Sequence, residues 1–145
     1  MARLSGTYYH QLDAKNRIRV PARLKKELGE EYYFVKGDNH CIYIFSAEEL
    51  DKLIDTATEA KLGDLDKQKY IRAFMKTIVQ ATEDNQGRVV LPPDLRDHLA
   101  FEKNEKDIVV TGAGKRAEIW SKSNHDNYFA DVADDFNKVI TNLGA

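Results

Sequence analysis

The chain has 145 residues, of which 42% are hydrophobic, and its net charge at neutral pH is −2. This length suits one ordinary core of a soluble globular protein, and the slightly negative charge argues against a protein that coats nucleic acid without sequence preference. Because no apolar run approaches the ~20 residues that cross a bilayer, and the opening MARLSGTYYHQLD lacks the apolar core of a secretory signal, we expect a cytoplasmic protein with no membrane partner.

The first predicted element is a β-hairpin. Its leading strand, Thr7–Leu12, alternates only loosely, but basic and apolar residues alternate clearly after the turn, in the order Arg17, Ile18, Arg19 and Val20. The two apolar residues should face one side of the strand and the two arginines the other. The turn DAKN ends at Asn16, a residue that tolerates the positive φ of a bulged hairpin turn.

A short helix and a second hairpin follow. Pro21 suits the first turn of a helix, and Leu24 and Leu28 have helical spacing. The segment EYYFVKGDNHCIYIFS contains two β-rich runs around a polar, glycine-containing turn, which predicts a hairpin. Cys41, the single cysteine, lies within the second run, where a small buried hydrophobic role is favoured over that of a nucleophile.

The whole arrangement is repeated. DAKNRIRVPARLKKEL, which begins at Asp13, aligns with DNQGRVVLPPDLRDHL, which begins at Asp84. The aligned pairs include Asp13 with Asp84, Asn16 with Gly87, Arg17 with Arg88, Pro21 with Pro92, Leu24 with Leu95 and Leu28 with Leu99. After four extra residues in the second copy the match resumes, with Gly37 on Gly112, Ile44 on Ile119, Phe45 on Trp120 and Ser46 on Ser121. Two copies of one hairpin–helix–hairpin unit are therefore predicted.

Helices are predicted after each copy. Ser46 and Glu49 form a capping box that opens a helix running to about Leu62. A second apolar stripe comprises Tyr70, Ile71, Phe74, Ile78 and Val79. A third comprises Phe129, Val132, Phe136, Val139, Ile140 and Leu143. We interpret both stripes as packing faces of amphipathic helices.

A unit of ~50 residues buries too little surface to be stable alone, so the two copies should share one pseudo-symmetric core in an interlocked barrel. The predicted fold class is α+β, built from two tandem β-hairpin–helix–β-hairpin modules with additional amphipathic helices. We place the first module at 1–53, a helical connector at 54–77, the second module at 78–125 and a C-terminal helix at 126–145.

Charge is distributed unevenly along the chain. Between Asp13 and Lys26 one acid stands against six bases, Lys15, Arg17, Arg19, Arg23, Lys25 and Lys26. The segment from Ala47 to Asp66 is acidic, with only two bases, Lys52 and Lys61. Its seven acids are Glu48, Glu49, Asp51, Asp55, Glu59, Asp64 and Asp66. One face of the protein is therefore expected to be basic and another acidic, although a charge run on a helix is also typical of an ordinary solvated face.

The segments LDAKNR and DNQGR, each followed by a proline, resemble the doubled Asp-x-x-x-Arg signature of the MraZ family, whose halves are SpoVT/AbrB-type modules. Gly6, seven residues before Asp13, also fits that family's pattern. The resemblance implies a swapped-hairpin type of β-barrel, a ring-shaped homo-oligomer and a nucleoid-associated regulator of transcription. It further implies binding to direct repeats in a promoter and control of the division and cell-wall gene cluster. The chain departs from the pattern at Asn16, where glycine is usual, and at Leu4, where phenylalanine is usual.

The signature residues have a physical role on double-stranded DNA. An arginine just past a tight turn is held near rigid backbone, and its planar fork can bind phosphate or the guanine edge in the major groove. We assign this contact to Arg17 and Arg88, and we assign orientation of the guanidinium to Asp13 and Asp84. Supporting contacts with phosphate or bases are expected from Lys15, Asn16, Arg19 and Gln86. The alternative is that each Asp–Arg pair is an exposed ion pair that stabilises its hairpin by ~0–1 kcal/mol.

Catalytic functions have little support. The four histidines, His10, His40, His98 and His125, have no second ligand at helical spacing, so we expect no metal. No Ser–His–Asp or Cys–His arrangement stands out, so we also expect no enzyme activity, no cofactor and no small-molecule substrate. Two further hypotheses remain. One is an antitoxin-like protein-interaction module with an AbrB-type fold, and the other is a structural ring without a nucleic-acid role.

Overall fold

The computed structural model describes residues 3–59 and 65–144. In chain order the strands are β1 Thr7–Gln11, β2 Arg17–Ile18, β3 Tyr32–Lys36, β4 Ile42–Ser46, β5 Val79–Gln80, β6 Val89–Val90, β7 Asp107–Gly112 and β8 Ala117–Ser121. The helices are α1 Ala22–Leu28, α2 Ala47–Thr58, α3 Leu65–Met75, α4 Pro93–His98, α5 Lys122–Ala133 and α6 Phe136–Asn142, with a 3-10 turn at Asp38–His40 between β3 and β4. The fold is α+β, as the sequence predicts.

All strand pairs in the described residues are antiparallel, and they form two sheets. The larger has six strands in the order β1-β7-β8-β4-β3-β5, and the smaller consists of β2 and β6 alone. The second hairpin of each copy, β3–β4 and β7–β8, is confirmed. The two hairpins join in the middle of the large sheet, where β4 pairs with β8.

The first hairpin of each copy differs from the prediction. Its turn forms, but the strands on the two sides of the turn pair with strands of the other copy. The whole of β1 pairs with β7, β5 pairs with β3, and β2 pairs with β6. The exchange has a physical reason, because a unit of ~50 residues buries more surface when its leading strand pairs with the second hairpin of the other copy in the same chain.

The large sheet separates the apolar residues into layers. One face packs against the small sheet, α1 and α4, and it holds the main core, which includes Ile18, Leu24, Phe34, Ile44, Val89, Leu95, Ile108 and Ile119. On the other face Val35, Phe45 and Leu50 pack with side chains of α2 and α3. Cys41, Val109 and Trp120 pack there with Phe129 of α5. The small sheet and helices α2, α3 and α5 therefore lie on opposite sides of the large sheet.

Equivalent serines open equivalent helices. The Ser46 hydroxyl accepts a hydrogen bond from the Glu49 amide at 3.1 Å, as the predicted capping box requires. The Ser121 hydroxyl accepts one from the Asn124 amide at 3.2 Å and begins α5 in the same way. Leu62, where the first of these helices was predicted to end, lies outside the described residues, as do Lys61 and Asp64 of the acidic run.

Two predicted helical stripes are interrupted. Helix α3 ends at Met75, where the Thr77 hydroxyl donates to the Phe74 carbonyl at 2.8 Å, and Val79 belongs to a strand instead. The C-terminal stripe is divided between α5 and α6, because Asp135 caps a new helix by accepting from the Lys138 amide. Several residues of these stripes are largely exposed: Tyr70, Phe136 and Leu143 are among the most exposed apolar side chains of the described residues.

Candidate nucleic-acid interface

The first turn, Asp13–Arg17, is organised around one carboxylate. Asp13 Oδ1 accepts hydrogen bonds from the backbone amides of Lys15 and Arg17, both at 2.9 Å. Its Oδ2 accepts from Arg17 Nε at 2.6 Å. Asp13 thus stabilises the backbone of the turn and, with its second oxygen, fixes the direction of the guanidinium.

The second turn, Asp84–Arg88, repeats this arrangement. Asp84 Oδ1 accepts from the amides of Gln86 at 2.8 Å and Arg88 at 2.9 Å, and its Oδ2 accepts from Arg88 Nε at 2.9 Å. The sequence predicted that each aspartate would position its arginine, and this contact is present in both copies. The binding of DNA by these residues stays a prediction.

Positive φ angles close both turns at the predicted positions. Asn16 has φ 57° and Gly87 has φ 76°. A Cβ at Gly87 would meet no atom within 4 Å, so the backbone angle, not lack of space, favours glycine there. Asparagine is among the residues that adopt this conformation most readily, which explains how the first turn forms without glycine.

The two turns are brought together by the small sheet. Arg17 lies opposite Val90 and Ile18 opposite Val89, and continuing this register by one residue places Arg19 opposite Arg88. Ile18 and Val89 are buried in the main core. Because side chains alternate along a strand, the residues next to Ile18 and Val89 point away from the core. We call this outer face of the small sheet the arginine ribbon, and it is formed by Arg17, Arg19, Arg88 and Val90.

The guanidinium groups on the ribbon are only partly satisfied by protein. The Arg17 and Arg88 side chains are 21% and 26% exposed, and each bonds its aspartate through Nε. Among the described residues, the terminal Nη atoms of both arginines donate no hydrogen bond to protein, so these donors have no protein acceptor. Arg19, Lys15 and Gln86 are exposed beside them.

Hydrogen bonds keep both aspartates ionised. Partial desolvation raises the pKa of Asp13, but the Arg17 and Lys15 amides and the Arg17 guanidinium outweigh it and hold the pKa below its ordinary value. The Arg88 amide is the largest influence on Asp84, and it likewise lowers that pKa, with partial desolvation acting in the opposite sense. A charged carboxylate is the form that can orient a guanidinium.

Comparison with known proteins identifies the same duplication. The family model described as "MraZ protein, putative antitoxin-like" matches twice, at residues 4–72 and 74–143. The chain belongs to the MraZ family.

Individual MraZ relatives match over nearly the whole chain. The protein named Transcriptional regulator MraZ from Thermoanaerobacter sp. (strain X514) is 34% identical over 140 residues, which is 97% of this chain and 96% of the relative. Proteins of the same name from Carboxydothermus hydrogenoformans and Micrococcus luteus are each 36% identical. The first match covers 85% of this chain and 84% of the relative, and the second covers 87% and 86%.

One residue near the MraZ signature was missed by sequence reasoning. Arg96, on α4 of the second copy, donates from Nε to Asn16 Oδ1 of the first turn at 2.8 Å. The repeat aligns Arg96 with Lys25 of α1, which instead contacts Glu83 Oε1 at 2.5 Å. Each turn therefore lies close to a basic residue from the other copy's helix, a relationship that follows from the strand exchange and that no local pattern reveals.

The two copies of the MraZ unit differ in charge around their turns. From Asp13 to Lys26 the sequence has six bases and one acid, whereas from Asp84 to Asp97 it has two bases, Arg88 and Arg96, and three acids. At matching positions the first copy has Lys15 and Arg19, and the second has Gln86 and Val90. Val90 is 55% exposed, an apolar side chain on an otherwise basic face that sequence analysis did not single out.

Two of the histidines and the single cysteine make contacts that are structural in character. His40 and His98, which are distant in sequence, come together with ring centroids 5.7 Å apart, but each ring nitrogen contact is with a backbone carbonyl. Within residues 3–59 and 65–144 no cluster of three histidine, cysteine or acidic side chains could hold a metal ion. Burial, assisted by Glu118 and Asp38, raises the pKa of the Cys41 thiol to about 12, which makes it unreactive.

None of the helices in the described ranges is long and apolar enough to span a membrane.

Proposed function

We propose that this protein is a DNA-binding transcriptional regulator that contacts double-stranded promoter DNA through the arginine ribbon. The observation that carries the proposal is the arrangement of Arg17, Arg19 and Arg88 on the outer face of one two-stranded sheet, with two of them oriented by aspartates. A two-stranded ribbon fits the width of the major groove, and arginine is the side chain best suited to phosphate and guanine. The names of the relatives agree with this role.

Roles follow from the geometry of the two turns. Arg17 and Arg88 supply the terminal guanidinium nitrogens to phosphate or guanine, and Asp13 and Asp84 position them. Lys15, Arg19, Asn16 and Gln86 contribute supporting contacts from the exposed edge of the ribbon. Val90 adds an exposed apolar group, and an apolar contact with a thymine methyl is a recognised means of reading a base.

The direct test is an electrophoretic shift with the DNA upstream of the protein's own gene. Arg17→Ala and Arg88→Ala should each weaken binding, and the double variant should abolish it at concentrations where wild type is saturated. Arg72→Ala is the matched control, because this exposed arginine lies on α3, on the opposite side of the large sheet. Wild-type affinity in the double variant would refute the proposal.

The exposed apolar side chains support self-association as part of the same proposal. Helices α2 and α3 form an apolar groove lined by Leu53, Ile54, Tyr70, Ile71, Phe74 and Met75. Helix α6 exposes Phe136 and Leu143. We propose a homo-oligomeric ring, because contact between two different surfaces of one chain closes into a ring when the rotation permits.

A ring would read direct repeats in the promoter by avidity. Several ribbons on one assembly raise the effective concentration at neighbouring boxes without any new contact. Deleting one box should therefore weaken binding to the remaining boxes. Within the same proposal we place the protein in the cytoplasm in association with the nucleoid, acting on the division and cell-wall gene cluster.

The strand exchange supports a closed, pseudo-symmetric barrel of the swapped-hairpin type. Each copy gives its leading strand to the other copy's hairpin, and β2 pairs with β6 at the centre. In this proposal residues 1–53 and 78–125 are the two modules, joined by the connector at 54–77. In this proposal the protein has no catalytic residues, and it uses no cofactor or small-molecule substrate.

The family description also names an antitoxin-like character, which keeps a protein-binding function as the second candidate. An antitoxin-like module would bind a small partner protein, and that partner would co-purify with the full chain. A structural ring without a nucleic-acid role is distinguished from a DNA-binding protein by the salt dependence of its affinity for promoter DNA. Each phosphate neutralised by the protein adds ~0.9 to the logarithmic salt slope. Binding without salt dependence would exclude the DNA-regulator proposal.

A further inference from the structure

We propose that Arg96 is a phosphate-binding residue of the first turn, so that the two turns of the arginine ribbon contribute unequally to DNA binding. This inference rests on the proposed function, because it concerns the same DNA face. It adds a residue from the second copy to the binding site of the first.

The position of Arg96 is fixed by Asn16. Arg96 Nε donates to Asn16 Oδ1 at 2.8 Å, and the Asn16 carbonyl accepts from the Leu91 amide at 2.9 Å. Asn16 is thus held at both its side chain and its backbone, in a conformation with φ 57°. Its side chain, absent from a glycine turn, is what brings the guanidinium of α4 to the turn.

Arg96 has the same geometry as the signature arginines. Like Arg17, it donates through Nε, and in the described residues its terminal nitrogens make no hydrogen bond to protein. Its side chain is 43% exposed, and its other polar neighbour is the exposed carboxylate of Asp97, with Nη1 3.8 Å from Oδ1. An exposed ion pair with that separation contributes little to stability, so a phosphate oxygen could readily displace the Asp97 carboxylate from Arg96.

In the described residues, no basic side chain of the other copy bonds directly to the second turn in this way. Gly87 offers no side-chain acceptor, and Lys25, which the repeat aligns with Arg96, contacts Glu83 at 2.5 Å. Glu83 therefore neutralises the cation that would otherwise flank the second turn. Lys15 at the tip of the first turn is matched by uncharged Gln86 at the tip of the second. The first turn consequently has three cationic side chains, Lys15, Arg17 and Arg96, whereas the second has Arg88 and, opposite it in the small sheet, Arg19.

The test is the salt dependence of affinity, measured by fluorescence anisotropy with the full chain and a labelled duplex from upstream of its own gene. Arg96→Gln should lower the logarithmic salt slope by about 0.9, the value for one phosphate, and weaken binding about fivefold to tenfold at ~0.1 M salt. Arg96→Lys, which keeps the charge, should retain the slope. Arg72→Gln, the same change on α3, should leave both quantities unchanged.

A second pair of variants tests the role of Asn16. Asn16→Gly removes the acceptor while keeping a residue suited to positive φ. It should weaken binding, and in that background Arg96→Gln should have a smaller effect than in wild type. Equal effects of Arg96→Gln in both backgrounds would overturn the positioning by Asn16.

The outcomes separate this inference from the proposed function. An unchanged slope for folded Arg96→Gln, together with a reduced slope for Arg17→Ala, overturns the role of Arg96 and leaves the ribbon proposal intact. Unchanged slopes for Arg17→Ala and Arg88→Ala would refute the ribbon itself. If Arg96→Gln fails to fold, Asn16→Gly decides the matter, because wild-type affinity in that variant would contradict the inference.

Discussion

Ile18 lies directly opposite Val89 in the small sheet, and the two residues occupy equivalent positions in the two copies. The same is true of Tyr43 and Glu118, which pair at the centre of the large sheet. A pair of equivalent residues facing each other marks an approximate twofold axis, so one such axis passes through the middle of both sheets. The first and second turns are related by this axis and lie on either side of the ribbon's centre.

An isolated copy should not fold as a monomer. Strand β1 finds its partner in the other copy, as does β5, so a fragment covering residues 1–73 would expose both an unpaired strand and half of the main core. We expect the fragment to be unfolded or to dimerise by exchanging β1 between two molecules. Circular dichroism and sedimentation equilibrium would show this, and a folded monomer would contradict the exchange.

Replacing the positioning aspartates should weaken DNA binding even though it makes the ribbon more positive. Asp13→Asn removes a negative charge beside Arg17, so simple attraction to phosphate predicts tighter binding. The loss of the charged Oδ2 acceptor at 2.6 Å instead frees the guanidinium to rotate, and we expect affinity to fall severalfold. Anisotropy titrations of Asp13→Asn and Asp84→Asn distinguish simple charge attraction from guanidinium positioning, because the first predicts a higher affinity for DNA and the second a lower one.

Acid should destabilise the wild type more than a variant without these carboxylates. Both aspartates have a lowered pKa in the folded protein, so the unfolded chain binds protons more readily. Their stabilising effect is complete above the ordinary aspartate pKa and is lost as pH falls through the lowered folded value. Thermal midpoints between pH 7 and about pH 2 should fall less steeply for the double Asp13→Asn, Asp84→Asn variant. Parallel curves would show that the carboxylates do not contribute.

Gly87→Ala should destabilise the protein through backbone conformation alone. The position has φ 76° and open space around a new Cβ, so the cost is that of a left-handed conformation, about 1 to 2 kcal/mol. Gly87→Asn, which copies the first turn, should cost much less. Urea denaturation measures both, and equal losses for alanine and asparagine would show that side-chain packing, not φ, is responsible.

The sequence predicted the elements that depend on neighbouring residues. Alternation placed Ile18 in the core and Arg17 on the surface, the repeat predicted two identical turns, and Ser46 capped its helix as expected. These features are local, so their physical causes lie within a few residues of one another.

Features that depend on contacts between residues far apart in the chain could not be predicted from local sequence patterns. Strands β2 and β6 have two residues each, too few for a pairing signal, so the residues alone did not show which strands the two interlocked copies exchange. The Arg96–Asn16 contact spans 80 positions in the chain. In the C-terminal stripe the apolar spacing continues through Asp134 and Asp135, and a cap at Asp135 divided the helix despite that spacing.

The departures from symmetry around Asn16 and Gly87 give the ribbon a direction. A binder with an identical group on each side of a dyad cannot distinguish the two ways of lying along a duplex, because rotating it by half a turn restores the same contacts. Here one end of the ribbon carries Lys15 and Arg96, and the other carries Gln86 and Arg19. Successive molecules on a promoter would therefore all point the same way, which is the polarity needed to read boxes arranged head to tail and not as inverted pairs.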